Sequence, residues 1–456
     1  MGLALIARDE ERNLPALLES IRGAFDQVAL VDTGSRDRTV ELFERWARSE
    51  AAEGRLPLGW RVGRHRWQDD FAAARAQADQ LLDTDWRAWA DCDDTIVGAE
   101  HLRQLVADAD QAGAVALVAD YDYAVEPDGA VSCRLRRERC VRAGCGQWVG
   151  RVHEAQIVHG PVVHAPRQLV RWVHQKPIEQ LRNPGDRNIR LLESWVRDEP
   201  DNVRAVGYLA FELAVRGRWQ EADTWFRALW QLDPPWNEER AQHARRWCVV
   251  LRALERHSDA ERLAVDAHVR VPWWPDSALT LAELHQQRGE PQHQLWWARQ
   301  AAGDPPDTPL IINPLDYTVH ARLLVADALA KLGDVAGAVR EGRAAAAATR
   351  NPQVHAMVAG WEQQLAAANT LDQVLSLARQ LAAGDQLDDA VRVLDSAPVM
   401  VRDDPRLVEL RDELAHRRDS AQVPERGVPE GRLRDFCQQL PRARFAVERL
   451  REVAAR

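Results

Sequence analysis

Trp86-Arg87-Ala88-Trp89-Ala90-Asp91-Cys92-Asp93-Asp94, residues 86–94, is an apolar run that ends abruptly in carboxylates. Trp86 to Ala90 has the length and composition of a buried strand, and the acidic residues fall in the loop at its end. Two carboxylates separated by one residue at a strand end can face a single hard divalent cation, because oxygen ligands suit magnesium or manganese. An exposed acidic turn is the plain alternative, and the flanking sequence weighs against it.

Upstream, short apolar runs alternate with helical stretches. Leu3–Ala7 and Gln27–Asp32 read as strands, and Asn13–Ala24 and Thr39–Ala52 as helices, the second with Asp37 or Ser35 able to cap its start. Ala114–Val118 reads as another strand. This grammar continues to about residue 175 and predicts a mostly parallel sheet with crossover helices. Val31-Asp32-Thr33-Gly34-Ser35-Arg36-Asp37-Arg38-Thr39 sits at the end of the second strand, where open parallel sheets bind nucleotides. There Asp32 would accept from a ribose hydroxyl or a base nitrogen, and Gly34 lets the backbone turn tightly. The same stretch also serves as a capped helix start. Asp69 to Arg75 places Asp70 and Arg75 near one helix face, where Arg75 would pair with phosphate and Asp70 would orient it. A surface salt bridge is the bland reading of that pair.

Taken together with Ala7-Arg8-Asp9-Glu10-Glu11-Arg12-Asn13-Leu14 and Trp148-Val149-Gly150-Arg151-Val152-His153-Glu154, these blocks resemble the nucleotide-diphospho-sugar half of family 2 glycosyltransferases. The resemblance covers about the first 175 residues and implies an α/β GT-A fold, Rossmann-like in its nucleotide half. It also implies a metal-dependent, inverting transfer of a sugar from a nucleotide-diphosphate donor, with a UDP-sugar as first expectation. Carried across by position, Ala7, Arg8, Asp9, Glu10, Asp32, Thr33 and Ser35 would surround the nucleoside. Asp70 and Arg75 would lie beside it, and Asp91, Cys92 and Asp93 would manage ribose and metal. Two departures are visible: the family usually has Asn where Asp9 stands, and often Asn where Ala76 stands.

An inverting transfer needs a carboxylate to take the acceptor proton, and the resemblance assigns that role to Glu154. A purely bracing role for His153 and Glu154 is the alternative. Asp94, Trp148, Arg151 and His153 would belong to the acceptor or sugar side, with Asp94 second in line for acceptor chemistry and Trp148 offering a flat face or simply filling the core. Val170-Arg171-Trp172-Val173-His174-Gln175-Lys176 resembles the last element of the domain, where relatives place a histidine that completes the metal site. His174 would therefore join Asp91 and Asp93 on manganese or magnesium, with His159 and His164 as competitors.

Beyond about residue 186 the strand signals stop. Leu191-Leu192, Trp195, Ala205, Tyr208-Leu209-Ala210, Gly217, Trp219, Glu221-Ala222 and Phe226 form a helix-hairpin pattern resembling a tetratricopeptide repeat. Gly289, Gly333 and Gly384 occupy similar turn positions, but only Gly217 to Gly289, 72 residues, comes close to two repeats of about 34. An irregular all-α solenoid with a concave face for an extended partner is expected. The domain expectation is thus 1–180 for the catalytic unit, 187–418 for tetratricopeptide-like repeats and 419–456 for a linker and C-terminal helix. Eighteen tryptophans, several in the first repeat, are expected mainly between helices.

Sixty Lys and Arg against seventy Asp and Glu leave a net charge of -10, which argues against nucleic acid or anionic membrane as partner. The apolar start runs straight into Arg8-Asp9-Glu10-Glu11, unlike a signal peptide. No stretch approaches the roughly 18 apolar residues of a membrane span, so a cytoplasmic protein without a transmembrane segment is expected. Six cysteines are too few for a disulfide scaffold, and the spacing of Cys133, Cys140 and Cys145 does not suit zinc. Three functions remain open: a transferase whose repeats hold a protein or peptide acceptor; one acting on a glycan or lipid-linked acceptor, with the repeats serving homo-oligomerisation; and an inactive transferase-like scaffold.

Overall fold

The computed structural model describes residues 1–175, 186–234 and 237–420. The expected segment 419–456 lies almost wholly outside them, as does Trp236. Two compact units are present. Among the described residues, the first comprises Met1–Leu332 and Glu341–Val354; the second comprises Gly333–Arg340 and 355–420.

The first unit begins with a mixed sheet. Its strands are β1 (Gly2–Ala7), β2 (Gln27–Asp32), β3 (Trp60–Arg64), β4 (Trp86–Asp91), β5 (Asp94–Val97), β6 (Ala116–Val125), β7 (Val131–Arg142), β10 (Val162–His164) and β11 (Arg171–His174). β8 (Gly146–Val149) and β9 (Ala155–Val158) form a separate antiparallel hairpin. The large sheet runs β3-β2-β1-β4-β7-β6-β11-β5, with β10 beside β6. β1, β2, β3 and β4 are parallel, and β2 is buried along its whole length, as a strand covered on both faces must be. β7 then enters antiparallel to both β4 and β6. The sheet is therefore less parallel than the alternating pattern predicts. β7 has no strand signature of its own: Arg134, Arg136, Arg137, Arg139 and Arg142 interrupt its apolar residues, and it is held as a strand by a partner on each side.

Helices α1 (Leu14–Ser20), α2 (Thr39–Ala52), α3 (Phe71–Gln80) and α4 (Leu102–Gln111) connect the strands. α2 has the predicted bounds, and the Asp37 carboxylate accepts from the Thr39 N–H at its start. α1 is shorter than predicted. Leu3, Leu5, Leu17, Phe25, Leu30, Phe43 and Trp172 fill the core between these layers.

The helical part of the same unit contains α5 (Arg187–Asp198), α6 (Val203–Val215), α7 (Trp219–Gln231), α8 (Asn237–Ala253), α9 (His257–Arg270), α10 (Pro275–Gln287), α11 (Pro291–Ala301) and α12 (Ala321–Lys331). Successive helices pack as hairpins: α6 and α7 meet through Ala210, Ala222 and Phe226, all fully buried. Gly217 and Gly289 turn the chain with φ of +71° and +69°, the left-handed conformation that glycine takes without penalty. The tryptophans divide: Trp195, Trp247 and Trp274 are buried, whereas Trp273 and Trp296 are largely exposed. In the second unit the segments Leu387–Asp395 and Pro405–Ser420 share a core with Leu371, Leu375 and Ala378. At its turn the left-handed residue is Asp385, at φ +63°, next to the predicted Gly384. Among the described residues no helix is long and apolar enough to cross a membrane.

Candidate active site

β1 and β2 end side by side, and the loops after them clasp each other. Asp9 adopts a left-handed φ of +57°. Its N–H donates to Ser35 Oγ at 3.0 Å, and its carboxylate accepts from the Arg36 N–H at 2.7 Å. The Glu10 N–H donates to Thr39 Oγ1 at 2.7 Å. Asp32 accepts the Ser35 N–H at 2.9 Å, and the Thr33 hydroxyl donates to the Ala7 carbonyl at 3.1 Å. Ala7, Glu10, Asp32, Thr33 and Ser35 thus line one rim at the ends of parallel strands, with Arg8 and Asp9 exposed beside them.

The next parallel strand, β4, delivers Asp91. Arg75, on α3 and only 2 % exposed, is bonded to the Asp91 carboxylate, to the Ala90 carbonyl at 3.1 Å and to Glu154 Oε1 at 3.1 Å. Its guanidinium lies 4.6 Å from the Trp89 ring centre. Burial would raise the Asp91 pKa, but the charges of Arg75 and Arg139 outweigh it and hold the group below the usual range. Asp70 does not orient Arg75: its carboxylate caps α3 by accepting the Ala73 N–H at 2.9 Å, a use any helix start offers to an Asp. Cys92 is buried with its thiol against the Ile6 carbonyl, and burial pushes that thiol well up.

Asp93, Asp94 and His174 form a buried group whose ligand atoms lie within 4.8 Å of one another. His174 Nδ1 is 3.5 Å from Asp93 Oδ1 and 3.3 Å from Asp94 Oδ1. This corrects the expected trio, since Asp91 turns to Arg75 and Asp94 takes its place. Asp94 also accepts from the Tyr121 hydroxyl at 2.7 Å and from the Asp91 N–H at 3.0 Å. Burial pushes the Asp94 carboxyl up. Burial acts to lower His174, but its hydrogen bond to Asp94 and the charges of Asp93 and Asp94 outweigh that and hold it above its ordinary value. Tyr123 stacks on the His174 ring at 5.0 Å. The competitors His159 and His164 are both exposed.

Glu154 closes the loop of the β8–β9 hairpin. Val152 buries itself among Ile189, Leu192 and Trp195 of α5. Arg151 reaches Ser194 at 2.9 Å and Asp198 at 2.5 Å. His153, at φ +54°, stacks on Tyr208 at 4.3 Å and meets Glu212 at 3.0 Å through Nε2. Arg151 and His153 therefore anchor the loop to the helices. Trp148, half-buried, packs edge-on to Trp89 and donates to Asp79 at 2.7 Å.

Arg139 escaped the sequence reading altogether. It is the extra residue of a β-bulge, skipped where Leu117 pairs with Cys140 and Val118 with Glu138. The bulge turns its fully buried guanidinium among Trp89, Tyr121 and Trp172, 3.9 Å from Asp94 Oδ2. Bulges re-aim side chains beside sites in this way, and no sequence signal marks one.

Residues 3–142 match the family described as Glycosyl transferase family 2. The N-terminal domain is a family 2 glycosyltransferase domain. In this chain that glycosyltransferase domain is followed by tetratricopeptide-like helix hairpins. A TPR repeat-containing protein of Synechococcus elongatus is 26 % identical over 329 residues, covering 67 % of this chain and 76 % of that protein. Among solved structures, a thermophilic TPR protein of Thermus thermophilus is 16 % identical with a TM-score of 0.31, covering 40 % of this chain and 94 % of that one. A tetratricopeptide repeat protein from Parabacteroides merdae is 14 % identical with a TM-score of 0.32, covering 52 % of this chain and 95 % of that one.

Proposed function

We propose that the glycosyltransferase domain, residues 1–180, transfers a sugar from a nucleotide-diphosphate donor, UDP-linked as first choice, with inversion. The observation that carries this reading is the run of contacts from Asp91 through Arg75 to Glu154, next to the buried Asp93, Asp94 and His174 group. The rim of Ala7, Arg8, Asp9, Glu10, Asp32, Thr33 and Ser35 receives the nucleoside.

Two carboxylates and an imidazole fit a divalent ion, and manganese accepts the mixed set more readily than magnesium, which prefers oxygen. Asp93, Asp94 and His174 would hold it, and when bound it neutralises charge on the departing diphosphate. Glu154 takes the acceptor proton, and Arg75 fixes the direction of its carboxylate. α5 and α6 brace the Glu154 loop, and the helices between residues 187 and 418 offer surface to a protein or peptide acceptor.

The test is a binding and hydrolysis screen of nucleotide-sugars with and without manganese, on wild type and Asp93→Ala. Manganese-dependent binding of one nucleotide series, lost in the variant, supports the reading. Undiminished turnover in excess chelator overturns the metal-dependent mechanism, and no response to any nucleotide-sugar overturns the donor assignment.

A further inference from the structure

Away from the donor rim lies a cavity of about 190 Å³, walled by β7 on one side, by α6 and α8 on another and by residues 309–311 on a third. That is far more than the roughly 10–15 Å³ a single water needs. Its polar lining is unusual in what it lacks. Arg246, on α8, lies over the Phe211 ring at 4.3 Å and makes no ion pair or hydrogen bond with another described residue. His243, one turn before it and 5 % exposed, leaves Nδ1 without a partner. Arg204, on α6, donates one Nη to the His153 carbonyl at 2.8 Å, but its buried Nε is unpartnered. Arg137 enters from β7 and donates to the Glu154 carbonyl at 2.6 Å.

Two carboxylates also line the cavity. Glu138 is taken up by Arg137 at 3.3 Å and by the Gln156 N–H at 2.8 Å. Glu239 faces Arg204, Arg246 and His243, approaching His243 Nε2 to 3.8 Å, and Asp276, outside the lining, also acts on Arg246. Positive charge therefore exceeds negative. Buried polar groups are nearly always satisfied, yet Arg204 Nε and His243 Nδ1 are buried without a partner, and the half-buried Arg246 guanidinium faces the same space from α8. Guanidinium forks match the geometry of oxyanions.

We infer that this cavity is an oxyanion-binding site, taking a phosphate or carboxylate group between Arg204, Arg246 and His243. The inference does not rest on the transferase reading. Its consequence reaches the same loop, because Arg204 and Arg137 hold the carbonyls of His153 and Glu154. An anion seated on Arg204 is sensed where Glu154 is held, and a ligand bearing such a group would lie beside that residue.

The full chain is titrated calorimetrically with inorganic phosphate and with succinate, in wild type, Arg246→Gln, Arg204→Gln, Arg246→Lys and Asp93→Ala. Saturable binding that weakens at least tenfold in both Gln variants, is partly restored by Arg246→Lys and persists in Asp93→Ala supports the site. Tighter phosphate binding names a phosphorylated ligand; tighter succinate binding names a carboxylate. The inference is overturned if neither anion binds saturably, if binding ignores Arg246 and Arg204, or if it disappears only in Asp93→Ala, which would put the anion in the donor site. Should Arg246→Gln fail to fold, Arg204→Gln alone decides. Nucleotide-sugar binding on the same samples separates the two readings, since either can fail while the other stands.

Discussion

His174 stands opposite Asp94 in the antiparallel ladder between β11 and β5, its Nδ1 3.3 Å from the Asp94 carboxylate, although the two are 80 residues apart in sequence. Both positions are set by strand register, so a buried carboxylate and an imidazole are brought to one point without help from a flexible loop. A one-residue slip of β11 would turn the histidine to the other face.

Glu154→Gln keeps the shape of the side chain and its contact to Arg75 through the amide oxygen, but removes the proton acceptor. The expected result is nucleotide-sugar binding within a few-fold of wild type and a fall in kcat of about a hundred- to ten-thousand-fold. Steady-state kinetics beside donor titration check it. A change confined to KM would reassign Glu154 to binding.

Arg75→Met leaves the Asp91 and Glu154 carboxylates facing each other without the buried cation between them. Removing one partner of a buried ion pair costs about 3–5 kcal/mol. The partial exposure of Asp91 places the expected loss in urea unfolding at the lower end, about 3 kcal/mol. Arg75→Lys, which restores charge but not the fork, recovers part of it. A loss below about 1 kcal/mol would mean that solvent already screens the pair.

Glu212 carries a pH dependence. Burial acts to raise its pKa, but the bonds to His153, Asn188 and Arg216 outweigh it and hold the carboxyl down to about 2, against an ordinary value of 4.5. The folded value lies below the unfolded one, so the stabilising contribution is complete above about pH 4.5 and is lost as pH falls toward 2. Unfolding midpoints of wild type should fall more steeply across that window than those of Glu212→Gln. Parallel curves would place the acid sensitivity elsewhere.

Gly98→Ala tests the turn between β5 and the short helical turn Ala99–His101. Gly98 holds φ +78°, and an added Cβ would collide with the Leu169 carbonyl oxygen, backbone that cannot move aside cheaply. Strain of about 1–3 kcal/mol from the left-handed conformation adds to the collision. The expected outcome is a large drop in thermal midpoint together with weaker manganese binding, because β5 carries Asp94. An unchanged midpoint would show that the turn relaxes freely.

Much of the fold was legible because it is written locally. Leu3–Ala7 and Val28–Val31 are unbroken apolar runs, as strands covered on both faces require. α2 has the bounds read from the sequence, and the hairpin pattern around Gly217 needs only residues within one repeat. β7 was not legible, since an arginine-rich run has no strand signature until its neighbours are known.

The same division runs through the site. The sequence by itself determined which residues could meet at the ends of β1, β2 and β4, because short loops leave carboxylates little freedom at strand ends. It also determined that a helical array follows. Only the tertiary structure decided that Asp94 and not Asp91 stands with Asp93 and His174, that Arg139 is swung inward by a bulge, and that His153 and Arg151 belong to the helices. Each of these depends on register or on packing between segments tens of residues apart. Such pairings leave no local periodicity, and their energy exists only once the chain has closed around them.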